Sequence, residues 1–122
     1  MSTPAEERLV TLIAASTRGP RREGLFALWL MVRAAEALLP PDPVSAKNHR
    51  RRLQALETRI GSLALPAPLK RALAAARQHL ETATPNAAAL VLSQLTAPAR
   101  DVLGVEAADA VTVAARTARL HL

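Results

Sequence analysis

The chain has 122 residues, half of them hydrophobic, with 16 Lys and Arg against 10 Asp and Glu. That is enough for one ordinary domain with its own core, and too apolar for disorder along the whole length. Cysteine is absent, which excludes disulfides, thiol catalysis and cysteine metal sites and fits a cytoplasmic setting.

The apolar residues are mainly Ala, Leu and Val, and Phe26 and Trp29 are the only Phe, Tyr or Trp side chains. Ala and Leu are the strongest helix formers. No segment alternates β-branched and aromatic residues as a half-buried strand does. The first ten residues are polar and partly acidic, unlike a signal peptide. The most apolar stretch, residues 25–32, falls far short of the ~20 residues that span a bilayer. The composition predicts an all-α protein without a transmembrane segment.

Prolines mark most of the predicted helix starts. Thr3-Pro4-Ala5-Glu6 has the form of a capping box, and opens a helix over 4–17 with Leu9, Leu12 and Ile13 inward. A second helix follows Gly19-Pro20 and runs to residue 39, where Pro40-Pro41 must stop it. Leu25, Leu28, Trp29, Val32 and Leu39 lie on one side of it, and Phe26, Leu30 and Ala37 on another. A helix apolar on nearly all sides is central, or is covered by another subunit.

Asp42-Pro43 reads as the cap of a third helix over 43–62, with Leu53, Leu56, Ile60 and Leu63 in one stripe. Pro66-Ala67-Pro68 opens a fourth to residue 82, with the matching stripe Leu69, Leu73, Ala76 and Leu80. Two such stripes across a short linker predict an antiparallel helical hairpin. Thr84-Pro85 caps a short fifth helix to residue 95. Pro98 then begins a last helical region that breaks at Gly104 and runs to 119. Residues 54–85 match the tetratricopeptide pattern only at Ile60, Gly61 and Pro85. Glu57, Ala64, Leu73 and Arg77 depart from it and no second copy follows, so no repeat architecture is expected. The expected fold is one domain over 1–122, an antiparallel bundle of five or six helices.

Positive charge is concentrated in residues 40–82, which hold eight basic against three acidic side chains. Lys47, Arg50, Arg51, Arg52 and Arg59 lie on the third helix, and Lys70, Arg71 and Arg77 on the fourth. Such a set is either a phosphate-binding surface or the solvated side of an amphipathic pair whose Arg stems cover apolar surface. Successive residues fan out by about 100° on a helix, so Arg50, Arg51 and Arg52 diverge while Arg52 and Arg59 share a face. No aromatic residue is near in sequence to serve as a stacking platform. Arg18, Arg21 and Arg22 form a second cluster at the start of the second helix, where an anion or neighbouring carboxylates would offset the dipole.

Phe26, Trp29 and Leu30 are the candidate anchor for a partner, because Trp is favoured at binding hot spots. His49, His79 and His121 lack metal-site spacing, and no cofactor or metal is expected. Glu36 follows Val32 by four on the apolar side of the second helix; if buried it needs a partner, Arg33 or a distant Arg, and otherwise it sits where the stripe reaches solvent. No nucleophile elbow, Walker A or dinucleotide motif is present. The sequence reading is a non-enzymatic interaction or scaffold module, self-associating or docking a helical partner. The alternative is a nucleic-acid-binding accessory protein using residues 43–82. Three structural signatures separate the options. A scaffold exposes an apolar patch. A nucleic-acid binder gathers Lys47, Arg51, Arg52, Arg59, Lys70 and Arg77 on one face. An enzyme sets Glu36 or a histidine in a pocket with charged neighbours.

Overall fold

The computed structural model describes residues 2–122. Among them are six α-helices: α1 (Pro4–Ala15), α2 (Pro20–Glu36), α3 (Ala46–Gly61), α4 (Ala67–His79), α5 (Pro85–Leu103) and α6 (Val105–Arg119). The protein is an all-α helical bundle. None of these helices is long and apolar enough to cross a membrane.

The local signals act as their chemistry requires. Thr3 Oγ1 accepts from the Glu6 amide and the Glu6 carboxylate accepts from the Thr3 amide, so the capping box is complete. Thr84 Oγ1 accepts from the Ala87 amide and starts α5. The α3 cap differs from expectation. Ser45, not Asp42, caps that helix, accepting from the Asn48 amide. Residues 37–45 form turns instead, closed by a bond from the Val44 amide to the Ala37 carbonyl. Accordingly α2 ends at Glu36, three residues before the predicted stop.

Pro98 does not begin a helix. It lies inside α5, which continues to Leu103. A proline here removes one bond, to the carbonyl of Gln94 four residues earlier. Gln94 is exposed, so water can satisfy that oxygen. The break falls at Gly104, whose φ of 102° is open to glycine and strained for other residues. This single residue folds α6 back along α5. Alanines line the contact, among them Ala88, Ala99, Ala107, Ala110 and Ala114, all fully buried. Small side chains let the two backbones lie close.

Helix α2 is central and touches every other helix. Gly24 permits its close passage, since a Cβ there would lie 2.8 Å from Leu103 Cδ2 and 3.1 Å from Leu69 Cδ2. One hydrophobic core draws on all six helices, with Leu9, Leu28, Leu53, Leu73, Leu92 and Val111 as members. Helices α3 and α4 do not form the closed hairpin that their stripes predict. Their backbones scarcely approach one another; α3 packs on α2, while α4 packs on α2 and α5. Leu53, Leu56 and the α4 stripe are buried against α2 and its neighbours, Ile60 and Leu63 are partly buried, and α3 and α4 stand apart across a groove.

Candidate binding face between α2 and α3

Helix α2 presents Phe26, Trp29, Leu30 and Arg33 towards α3, and α3 answers with Arg52, Ala55, Leu56 and Arg59. The ring centroids of Phe26 and Trp29 are 5.7 Å apart and tilted by 32°. The Arg33 guanidinium lies 4.9 Å from the Trp29 ring, and that of Arg59 lies 5.2 Å from the Phe26 ring. Both distances are within cation–π range. Trp29 and Leu30 are partly buried against the core, whereas Phe26 is half-buried outside it.

Arg33, Arg52 and Arg59 line one recess of about 150 Å³, with Leu30, Ala55 and Leu56 as its apolar walls. Arg33 has a carboxylate neighbour, Glu6, at 3.6 Å. Neither Arg52 nor Arg59 forms an ion pair among the described residues. The partner-binding and anion-binding candidates, kept apart in the sequence, thus meet on one face. A stacking side chain does lie beside the arginines, brought there by α2 rather than by neighbours in the chain.

The other basic candidates do not line this recess. Lys47, Arg51 and Arg71 are exposed, as Arg33, Arg52 and Arg59 also are. Arg50 lines a cavity with His49, Arg77 and Glu81 on the other side of α3. Lys70 borders the α3–α4 groove, about 270 Å³ in volume and floored by Leu56, Ile60, Leu73 and Ala74. Arg77 bridges Glu57 and Glu81, each at 2.9 Å, so its charge is neutralised locally. Lys47, Arg51, Arg52, Arg59, Lys70 and Arg77 therefore do not converge on one face. Arg21 in the second basic cluster donates to Ser16 Oγ at 2.9 Å and to the Leu103 carbonyl at 3.2 Å, closing the C-terminal end of α5.

Beyond Arg33 and Arg52 the face continues into a cleft of about 460 Å³ lined also by Thr3, Glu6, Trp29 and Glu36. Glu36 Oε1 accepts a hydrogen bond of 2.7 Å from Thr3 Oγ1. Burial pushes the Glu36 carboxyl up to about 7; the charge of Glu6 adds to this, and the Thr3 hydroxyl opposes it. Such a carboxyl exchanges a proton near neutral pH. Thr3 Oγ1 is held from both sides, by the Glu6 amide and by Glu36, so its oxygen ties the start of α1 to the end of α2.

His49 is buried, and its Nε2–H donates to the Leu80 carbonyl at 2.7 Å, fastening α3 to the end of α4. Nδ1 has no partner. A pocket with charged neighbours, the feature expected of an enzyme, thus occurs at both Glu36 and His49. Among the described residues no three His, Asp or Glu side chains are grouped to hold a metal ion. No protein-family model, curated protein or solved structure matches the chain.

Proposed function

We propose that this chain is a non-enzymatic interaction module that docks an acidic, amphipathic helix of a partner protein on the α2–α3 face. The observation that carries the reading is the meeting of Phe26, Trp29 and Leu30 with Arg33, Arg52 and Arg59. Trp and Arg dominate the energetic centres of protein interfaces. A half-buried apolar strip edged by arginines suits a helix that turns leucines to the strip and carboxylates to its rim. Nucleic acid is less well served, because a guanidinium already lies over each ring and the remaining basic residues scatter. Glu36 and His49 each face charged neighbours, but their hydrogen bonds, to Thr3 and Leu80, join one helix to another.

Fluorescence anisotropy with a labelled Leu/Glu amphipathic peptide tests this, with the Leu/Lys counterpart as control. The acidic peptide is expected to bind in a salt-sensitive way. Trp29→Ala is expected to weaken it by about tenfold or more, as hot-spot truncation does. Equal binding of both peptides would defeat the reading. So would salt-sensitive binding of mixed RNA or duplex DNA that is lost in the Arg51→Ala, Arg52→Ala double variant, in favour of the nucleic-acid alternative. Sedimentation decides whether a second copy of this chain, whose α1–α6 cleft carries Glu7, Glu106 and Asp109, takes the partner's place.

A further inference from the structure

We infer that the recess lined by Arg33, Arg52 and Arg59 binds the phosphoryl group of a phosphomonoester, carried on a side chain of the docked partner. The identity of the carrier rests on the docking reading; the phosphoryl site itself does not.

Arg33, Arg52 and Arg59 line a space of about 150 Å³ whose other walls are apolar, several times the ~30 Å³ that one water occupies in the liquid. There is room for a tetrahedral oxyanion. Of the three, only Arg33 has a carboxylate beside it, the long contact to Glu6 at 3.6 Å. An anion in the recess would give Arg52 and Arg59 the counter-charge that no ion pair supplies. Two of the three groups are also held in advance. Arg33 lies over Trp29 and Arg59 over Phe26, so less side-chain freedom is lost when a ligand arrives.

The chemistry selects among phosphates. A monoester presents three terminal oxygens and nearly two negative charges at neutral pH. Three planar, donor-rich guanidiniums can meet three oxygens with charge-assisted bonds. A backbone diester offers two terminal oxygens and one charge. A nucleic-acid strand would also need a succession of phosphate contacts, yet Arg50 and Arg77 lie on the far side of α3 and Arg77 is bound to Glu57 and Glu81. A single recess beside an apolar strip matches one phosphorylated side chain on a docked segment.

The test uses phenyl phosphate, inorganic phosphate and dimethyl phosphate at constant ionic strength, above the second phosphate pKa of about 6. The readouts are the fluorescence of Trp29, the one tryptophan of the chain, and the side-chain Nε–H resonances of the arginines. The first two probes are expected to give saturable responses at Arg33, Arg52 and Arg59, and dimethyl phosphate to bind about tenfold more weakly. Arg52→Gln and Arg59→Gln are each expected to weaken phenyl phosphate about tenfold, as the loss of one charge-assisted bond does. Arg50→Gln is expected to change nothing. Circular dichroism checks that the variants stay folded; Arg52→Lys and Arg59→Lys, which keep the charge and lose the planar fork, are expected to weaken binding less. No response at millimolar probe would overturn the inference. An undiminished response in the double glutamine variant, or dimethyl phosphate equal to phenyl phosphate, would overturn it as well. Phenyl phosphate binding without docking of the acidic peptide would remove the partner and keep the phosphoryl site. Docking of the peptide without phenyl phosphate binding would do the reverse.

Discussion

The hydrogen bond from Thr3 to Glu36 joins side chains 33 positions apart. It sets up a pH dependence whose sign follows from linkage. The carboxyl titrates near 7 in the folded chain, above its ordinary value of 4.5, so between these limits the folded state holds the proton more tightly. Relative to an ordinary glutamate, the penalty is absent below about 4.5, grows as pH rises, and is complete above about 7. Glu6 of α1, Arg33 of α2 and Arg52 of α3 are the charged groups that line the cleft with it. Glu36→Gln retains an acceptor for Thr3 and removes the titration. Thermal unfolding is expected to show a higher Tm for the variant at pH 8 and a smaller gap at pH 5. A gap independent of pH would mean that the carboxyl is not desolvated. The capping box was legible in the sequence because its partners lie within four residues. The position of Glu36 on the apolar side of α2 was legible too, but its partner was not, because only the crossing of α1 and α2 brings Thr3 there.

For whole helices, some starts were legible and others were not: Asp42-Pro43 does not cap α3, and Pro98 starts no helix. Thr3, Pro20 and Thr84 begin helices as read. Pro98 was misread because proline marks a first turn and an interior kink alike, and only burial on both sides of it decides. Leu95, Ala99 and Leu103 continue the buried face of α5 through the proline, so packing outweighs the missing bond. Pro98→Ala restores a donor to the Gln94 carbonyl and is expected to stabilise the protein by about 1 kcal/mol, one hydrogen bond's net contribution. Chemical denaturation measures it, and a loss of stability would show that the ring's own contacts dominate. The α3 and α4 stripes were read correctly as buried faces, with Leu53, Leu56, Leu69 and Leu73 all buried. Their mutual pairing was not, because a stripe specifies an apolar partner without naming which one.

At the scale of the molecule, the all-α class and the central place of α2 were legible in composition and in the two-sided apolar pattern of residues 25–39. The candidate face was legible only in halves. Phe26, Trp29 and Leu30 stood out by type, and Arg52 and Arg59 by their spacing of seven. Arg33 stood out only as a partner for Glu36, and its place beside the other two arises from how α3 lies on α2. The fan of charges around α3 also explains why a net charge of +6 does not make one basic surface. Arg52 turns to α2 and Arg50 to the Arg77 cavity.

The α5–Gly104–α6 hairpin also bears on how the chain reaches this structure. Its two helices are adjacent in sequence and share the most extensive helix contact in the bundle. Closing one residue of loop loses little entropy, and contacts between sequence neighbours form faster than distant ones. The hairpin is expected to be the folding nucleus, with α3 joining after the barrier. Stopped-flow refolding distinguishes the two. Ala110→Gly is expected to slow folding, whereas Leu53→Ala is expected mainly to speed unfolding. The reverse pattern would place the nucleus at α2 and α3.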